Sequence, residues 1–139
     1  MTGSEPQAVL DIEVIGLDGL PSGGPTALEV RELCVLALSS AAIAEGHAAV
    51  EFVDEDRIRG LNRDHRRIDA PTDVLSFPVD EDGATLGPRE LGDIVICPEH
   101  TGDLREAVLH GALHLTGMDH ETDDGEMLAL QAELMRWLT

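Results

Sequence analysis

His110-Gly-Ala-Leu-His114-Leu-Thr-Gly117-Met-Asp-His120 places three histidines at intervals of four and six residues around a glycine. On an α-helix, residues four apart share a face about 6 Å apart along the axis, so the imidazoles of His110 and His114 reach toward one point. Gly117 is placed to take the left-handed conformation that ends a helix, turning the chain so that His120 arrives from another direction. Three protein nitrogens leave a fourth position open for water or substrate, the arrangement of a catalytic zinc rather than of a closed structural one.

A lone helical histidine is more often an ordinary core or surface residue than a ligand, but three in this register reverse that balance. The metzincin peptidases use the same H-x-x-x-H-x-x-G-x-x-H frame with Glu after the first His as general base, whereas this chain has Gly111 there. A glycine inside a helix costs roughly 1 kcal/mol relative to alanine, so its presence implies that a side chain at 111 would obstruct something. Leu104, Val108, Ala112 and Leu115 share one face, and His110 and His114 point away from its centre.

Around this stretch the chain reads as one domain spanning residues 1–139, with Met1 to Gln7 a loose tail. No apolar run reaches the roughly 20 residues that span a bilayer, and no basic segment followed by an apolar one opens the chain. A cytoplasmic protein without a membrane partner is expected. The net charge of −19, from 28 acids against nine bases, all arginine, argues against a broad polyanion-binding surface. Yet Arg57, Arg59, Arg63, Arg66 and Arg67 fall within eleven positions holding one acid, Asp64. That cluster reads either as a solvated helix face or as a local phosphate site. Cys34 and Cys97 lie in apolar segments and read as buried thiols.

Leu10, Ile12 and Val14 alternate with acids as in a half-buried strand. A buried helix is expected from Thr26 to Ala44, halted by Gly46, then a strand from Ala48 to Val53, which together suggest a right-handed parallel crossover. Asp54 should cap a short helix through about Asn62. Asp73 to Phe77 reads as a strand stopped by Pro78, Val79 to Glu90 as a surface loop and lid, and Ile94 to Cys97 as a central strand. The histidine helix is expected from about Pro98, and a terminal helix, capped by Thr122 or Asp123, carries the stripe Met127, Leu130, Leu134 and Leu138. The fold class is α+β, a compact domain with a mixed sheet of about four strands packed by helices, one of them a zincin-like metal helix.

Four blocks in order carry a family likeness: Leu61-Asn62 followed by Arg66; Pro71-Thr-Asp-Val-Leu-Ser-Phe-Pro78; Leu91-Gly-Asp-Ile-Val-Ile96; and His110 to His120. Together they resemble the YbeY family of endoribonucleases and rRNA maturation factors, clearly over about Asp54 to Glu121 and in pattern elsewhere. The resemblance implies one Zn2+ per chain held by His110, His114 and His120, with Arg66 and the ligand His114 as the residues of catalysis. It further implies single-stranded RNA, not DNA, as substrate, action in rRNA 3′-end maturation and ribosome quality control, and the small ribosomal subunit and its proteins as partners. Three features depart from the pattern: a shortened stretch between Asp93 and His110, Met118 where an aromatic residue is common, and Gln131 where an acid is expected.

A zinc held by three imidazoles polarises a phosphoryl oxygen or lowers the pKa of bound water toward about 7, while Arg66 suits charge gathering on phosphorus. The general base stays open among Asp119, Glu121 and a bound hydroxide, and Asp119 also reads as a turn residue. Two other functions fit part of the pattern. A metallopeptidase would need the glutamate that Gly111 replaces, and a non-catalytic ribosome-assembly factor would use the metal for its fold and the acidic surface for basic ribosomal proteins.

Overall fold

The computed structural model describes residues 10–79 and 89–138. The tail assigned to Met1–Gln7 and most of the Val79–Glu90 loop lie outside the described residues. The elements run β1 (Leu10–Ile15), α1 (Ala27–Ser40), β2 (Gly46–Phe52), α2 (Glu55–Arg66), β3 (Val74–Pro78), β4 (Glu90–Ile96), α3 (Leu104–Leu115) and α4 (Glu126–Arg136), with short 3-10 turns at Leu17–Gly19 and Pro98–His100.

One four-stranded sheet has the order β1-β2-β4-β3. The first three strands are parallel, and β3 pairs antiparallel to β4, with Ser76 opposite Ile94. The sheet is therefore mixed and the fold α+β, as the alternation of segments suggests. Being internal, β4 is buried on both faces. Ile94 and Ile96 join the main core, and Val95 and Cys97 pack with Ile58 and Leu75 in a second cluster beneath α2. Both cysteines are free and buried, and burial pushes the Cys34 thiol up to about 12.

Several boundaries differ from the sequence reading, each for a local reason. Thr26 caps α1 in a reciprocal box with Glu29, but the helix stops at Ser40 rather than Ala44. There Ala42 turns left-handed (φ 61°), with its N–H bonded to the Ser39 carbonyl and the Ile43 N–H to that of Leu38. These two bonds make a Schellman closure, and Ile43 packs back on the core. Gly46 is then free to open β2 at φ 134°, where a Cβ would meet Leu91 Cγ at 2.8 Å.

Helix α2 runs four residues past the expected Asn62, its first turn capped by Asp54 and its end turned at Arg67 (φ 60°). The strand placed at Ile94–Cys97 starts earlier, at Glu90. Pro98 does not begin the histidine helix; it opens a separate 3-10 turn, and Asp103 caps α3 by accepting from Glu106 N at 3.1 Å. The extended backbone of Thr101 breaks the two apart. In α4, Met127 and Leu134 are buried and Leu130 partly so, whereas Leu138 falls beyond the helix and is exposed. The cap expected at Thr122 or Asp123 falls instead at Gly125, left-handed at φ 98° with no side-chain cap bond, while Asp123, two residues earlier, accepts from Gly125 N and Met127 N.

One cross-strand contact makes stability depend on pH. His47 on β2 lies between Glu90 on β4 (Nδ1···Oε2 2.9 Å) and Glu13 on β1 (Nε2···Oε1 3.3 Å). Both carboxylates accept, so the ring serves both only as imidazolium, and the Glu90 hydrogen bond holds its pKa above the ordinary 6.5 despite partial burial. A raised folded-state pKa stabilises fully below the unfolded value and is lost as pH rises through the folded one. Between about pH 6 and about pH 9, spanning the ordinary histidine pKa, the melting temperature should fall less in His47→Gln than in wild type. Identical slopes would show that the contact contributes nothing.

Candidate metal centre

Helix α3 is buried on nearly every side, from Ala107 to Leu115, leaving His110 and His114 half-buried. Gly111 explains how it lies so close to the sheet: a Cβ there would stand 2.5 Å from Ile94 Cγ2 and 3.2 Å from Ser76 Oγ. Ser76 uses that proximity to donate to the Gly111 carbonyl at 3.1 Å. The obstruction inferred from a mid-helix glycine is thus the side chain of β4. After Leu115 the chain turns at Gly117, whose φ is +99° and whose N–H bonds to the His114 carbonyl at 3.0 Å. Asp119 accepts from Glu121 N at 3.0 Å and Asp123 N bonds to the Asp119 carbonyl, a tight turn that carries His120 back.

The three imidazoles meet edge to face, with ring centres 4.8 to 5.2 Å apart. One nitrogen from each lies within 4.8 Å of the others, a group able to hold a metal ion. Their outer nitrogens are oriented by the protein: His110 Nδ1 lies 2.7 Å from Gln131 Oε1 on α4, and His114 Nδ1 lies 3.0 Å from the Met118 carbonyl. The Met118 carbonyl can only accept, so His114 Nδ1 carries the proton and its Nε2 a lone pair, and Gln131, placed with Oε1 toward His110 Nδ1, sets His110 in the same tautomer. Those lone pairs face each other at 3.2 Å.

Two lone pairs at that distance repel unless a proton or cation lies between them. Ligands at about 2.0–2.1 Å in tetrahedral array stand about 3.3–3.4 Å apart, so the spacing fits a zinc-sized ion. His120 adds a buried Nδ1 without a hydrogen-bond partner among the described residues. Burial, then the charge of His110, lowers the His114 pKa, favouring the neutral ring that a metal needs.

A cleft of about 620 Å³ opens over these rings, lined also by Arg66, Asp73, Ser76 and Glu121. Arg66 thus shares the cleft with the histidines. It ends α2 and forms no ion pair among the described residues, whereas Arg59 is tied to Asp69 and Arg63 to Asp64. Asn62, 2 % exposed, donates to the Ala70 carbonyl at 2.9 Å and fixes the connection from α2 into β3 on which this wall of the cleft depends. Of the three departures, the shortened stretch survives as the Pro98–His100 turn, the Met118 side chain packs on the core, and Gln131 holds His110. The resemblance marks position 131 as one where an acid is expected, but that Gln131 holds His110 is visible only in the structure.

Fold and site together define a mixed-sheet α+β domain with a three-histidine cluster at the end of a buried helix. The model of the family described as Endoribonuclease YbeY matches residues 27–139, and the chain belongs to that family. A Geobacillus thermodenitrificans protein named Endoribonuclease YbeY is 41% identical over 135 residues, covering 79% of this chain and 86% of the relative. One of the same name from Azorhizobium caulinodans is 32% identical over 141 residues, covering 91% and 89%. Another from Corynebacterium glutamicum is 40% identical over 113 residues, 66% of this chain, which spans only 58% of that relative's length. A Thermotoga maritima protein solved in solution superposes with a TM-score of 0.53 at 29% identity, covering 88% of this chain and 85% of its own.

Proposed function

We propose that the protein is a zinc-dependent endoribonuclease that cleaves single-stranded RNA, acting on rRNA precursors at their 3′ ends in the cytoplasm, with the small ribosomal subunit as partner. The observation that carries the reading is the convergence of His110, His114 and His120 in one cleft with Arg66, which forms no ion pair among the described residues. His110, His114 and His120 would hold the metal. When bound, such an ion polarises a phosphoryl oxygen and acidifies water.

The remaining work falls to the chain's own groups. Arg66 presents a planar, permanently charged fork to the phosphodiester and stabilises charge that builds on its oxygens. In a molecule of net charge −19, a guanidinium in the cleft also gives an anionic strand a local place to settle. The Met118 carbonyl and Gln131 keep the first two rings aimed at the centre. Ser76, bonded to the Gly111 carbonyl, ties the metal helix to the floor of the cleft. Peptide hydrolysis is the weaker reading, because the family of peptidases with this frame needs a glutamate where Gly111 abuts Ile94.

Arg66→Ala tests the assignment. Removal of one preorganised charge donor costs on the order of 10²–10³ in rate, so cleavage of a single-stranded RNA should fall by about 10²-fold. Because Arg66 is exposed and forms no ion pair among the described residues, stability should change by no more than about 0.5 kcal/mol, and zinc content should be unchanged. A comparable loss of melting temperature would mark the arginine as structural instead.

A further inference from the structure

We propose that Gln131 is the positioning residue of the metal centre, fixing the tautomer of His110 with a neutral acceptor rather than with the charged one usual around such sites. It rests on the zinc reading above but not on the identity of the substrate. Helix α4 is anchored to the core by Met127 and Leu134, four residues before and three after Gln131, so the amide sits at the margin of a face that cannot slide. Its Oε1 stands 2.7 Å from His110 Nδ1, closer than the 3.0 Å between His114 Nδ1 and the Met118 carbonyl. An oxygen there requires Nδ1 to carry the proton. Nε2 is then left as a lone pair directed toward His114 Nε2.

The choice of amide over carboxylate has a consequence for the cleft. A ligating histidine is commonly backed by a carboxylate or a carbonyl, which orients the ring and raises its basicity. A carboxylate also adds a negative charge beside the metal. This cleft already holds Asp73, Asp119 and Glu121 on its walls, in a chain of net charge −19. A glutamine orients the ring equally well and leaves the positive charge of the centre undiminished for an anionic ligand. Met118 backs His114 in the same neutral way, through its main-chain carbonyl. Both described outer partners are therefore uncharged.

The test uses the full chain with Gln131→Leu and Gln131→Glu. In the metal-free protein, 15N–1H correlation spectra of the imidazoles should place the His110 proton on Nδ1 in wild type and in Gln131→Glu. In Gln131→Leu that signature should be lost. Loss of an outer partner weakens metal binding by about 10–100-fold, so zinc competition against a chromophoric chelator should show that loss in Gln131→Leu and recovery to within a few-fold in Gln131→Glu. A His110 proton on Nε2 in wild type would overturn the proposal, since the amide would then be turned to donate. So would equal zinc affinity in wild type and Gln131→Leu, or equal losses in both variants. Should Gln131→Leu prove unfolded, the wild-type tautomer and the affinity of Gln131→Glu still decide. Absence of RNA cleavage alongside the expected tautomers and affinities would count against the nuclease reading alone.

Discussion

His114→Ala is expected to abolish zinc retention and to bring RNA cleavage down to the level of a protein-free control. Of the three rings, His114 is the one whose removal undoes most. Its Nε2 faces that of His110 at 3.2 Å, and its Nδ1 engages the Met118 carbonyl at the turn that carries His120. Alanine therefore removes one ligand and loosens the delivery of another. Removing an outer partner alone costs about 10–100-fold in metal affinity, so loss of a ligand together with that anchor should exceed this range. Purified identically, wild type should cleave single-stranded RNA and leave casein-like substrates intact. Equal RNA cleavage by the two proteins would point to a contaminating nuclease and bring forward the non-catalytic assembly-factor reading.

Acid should mimic the mutation, later than ordinary histidine chemistry suggests. Burial and the neighbouring His110 hold the His114 pKa below 6.5, so the neutral, ligating ring persists as pH falls past that value. A depressed histidine adds stability above its unfolded pKa and loses it on approach to the folded one. In the metal-free protein the His114 ring, followed by NMR, should accordingly titrate below the value for free imidazole.

What was legible in the sequence is what local chemistry encodes. The spacing of His110, His114 and Gly117 prescribes a helix, its end and the return of His120 with no reference to the rest of the chain, and the structure brings the three rings together. The alternation in β1 and the two-sided apolar run of β4 likewise follow from pleat and burial. The sheet order does not: nothing local states that β3 pairs outside β4, leaving β4 beside β2. The end of α1 escaped because Ala42, without a glycine's freedom, still turns left-handed once Ile43 is drawn to the core. Gln131 escaped for a related reason. Its partner lies 21 residues away on another helix, and only packing of α4 against α3 sets the distance.

Gly111 is the residue where sequence and structure make the same demand, and replacing it should cost stability. Alanine is the better helix former by roughly 1 kcal/mol, so on local grounds Gly111→Ala ought to stabilise α3. The sheet opposes this: the new methyl would stand 2.5 Å from Ile94 Cγ2, closer than real Cβ contacts allow. Ile94 is fully buried and branched at the contact, so the strain passes into the α3–β4 interface rather than into a mobile side-chain end. Overpacking typically costs about 1–3 kcal/mol and occasionally more, and a contact this short belongs at the upper end. We expect a net loss of about 2 kcal/mol, read as a drop of about 5–8 °C in melting temperature. Gly111→Glu should lose more, because a buried carboxylate adds desolvation to the clash, and it should gain no peptidase activity. Ile94→Ala separates the causes. Alone it should cost about 2–5 kcal/mol through its cavity, but in that background Gly111→Ala should be neutral or stabilising, a coupling that a double-mutant cycle measures directly. Stabilisation by Gly111→Ala in the unaltered chain would rule out the close approach, and the glycine would then have to be explained from the cleft side of the helix.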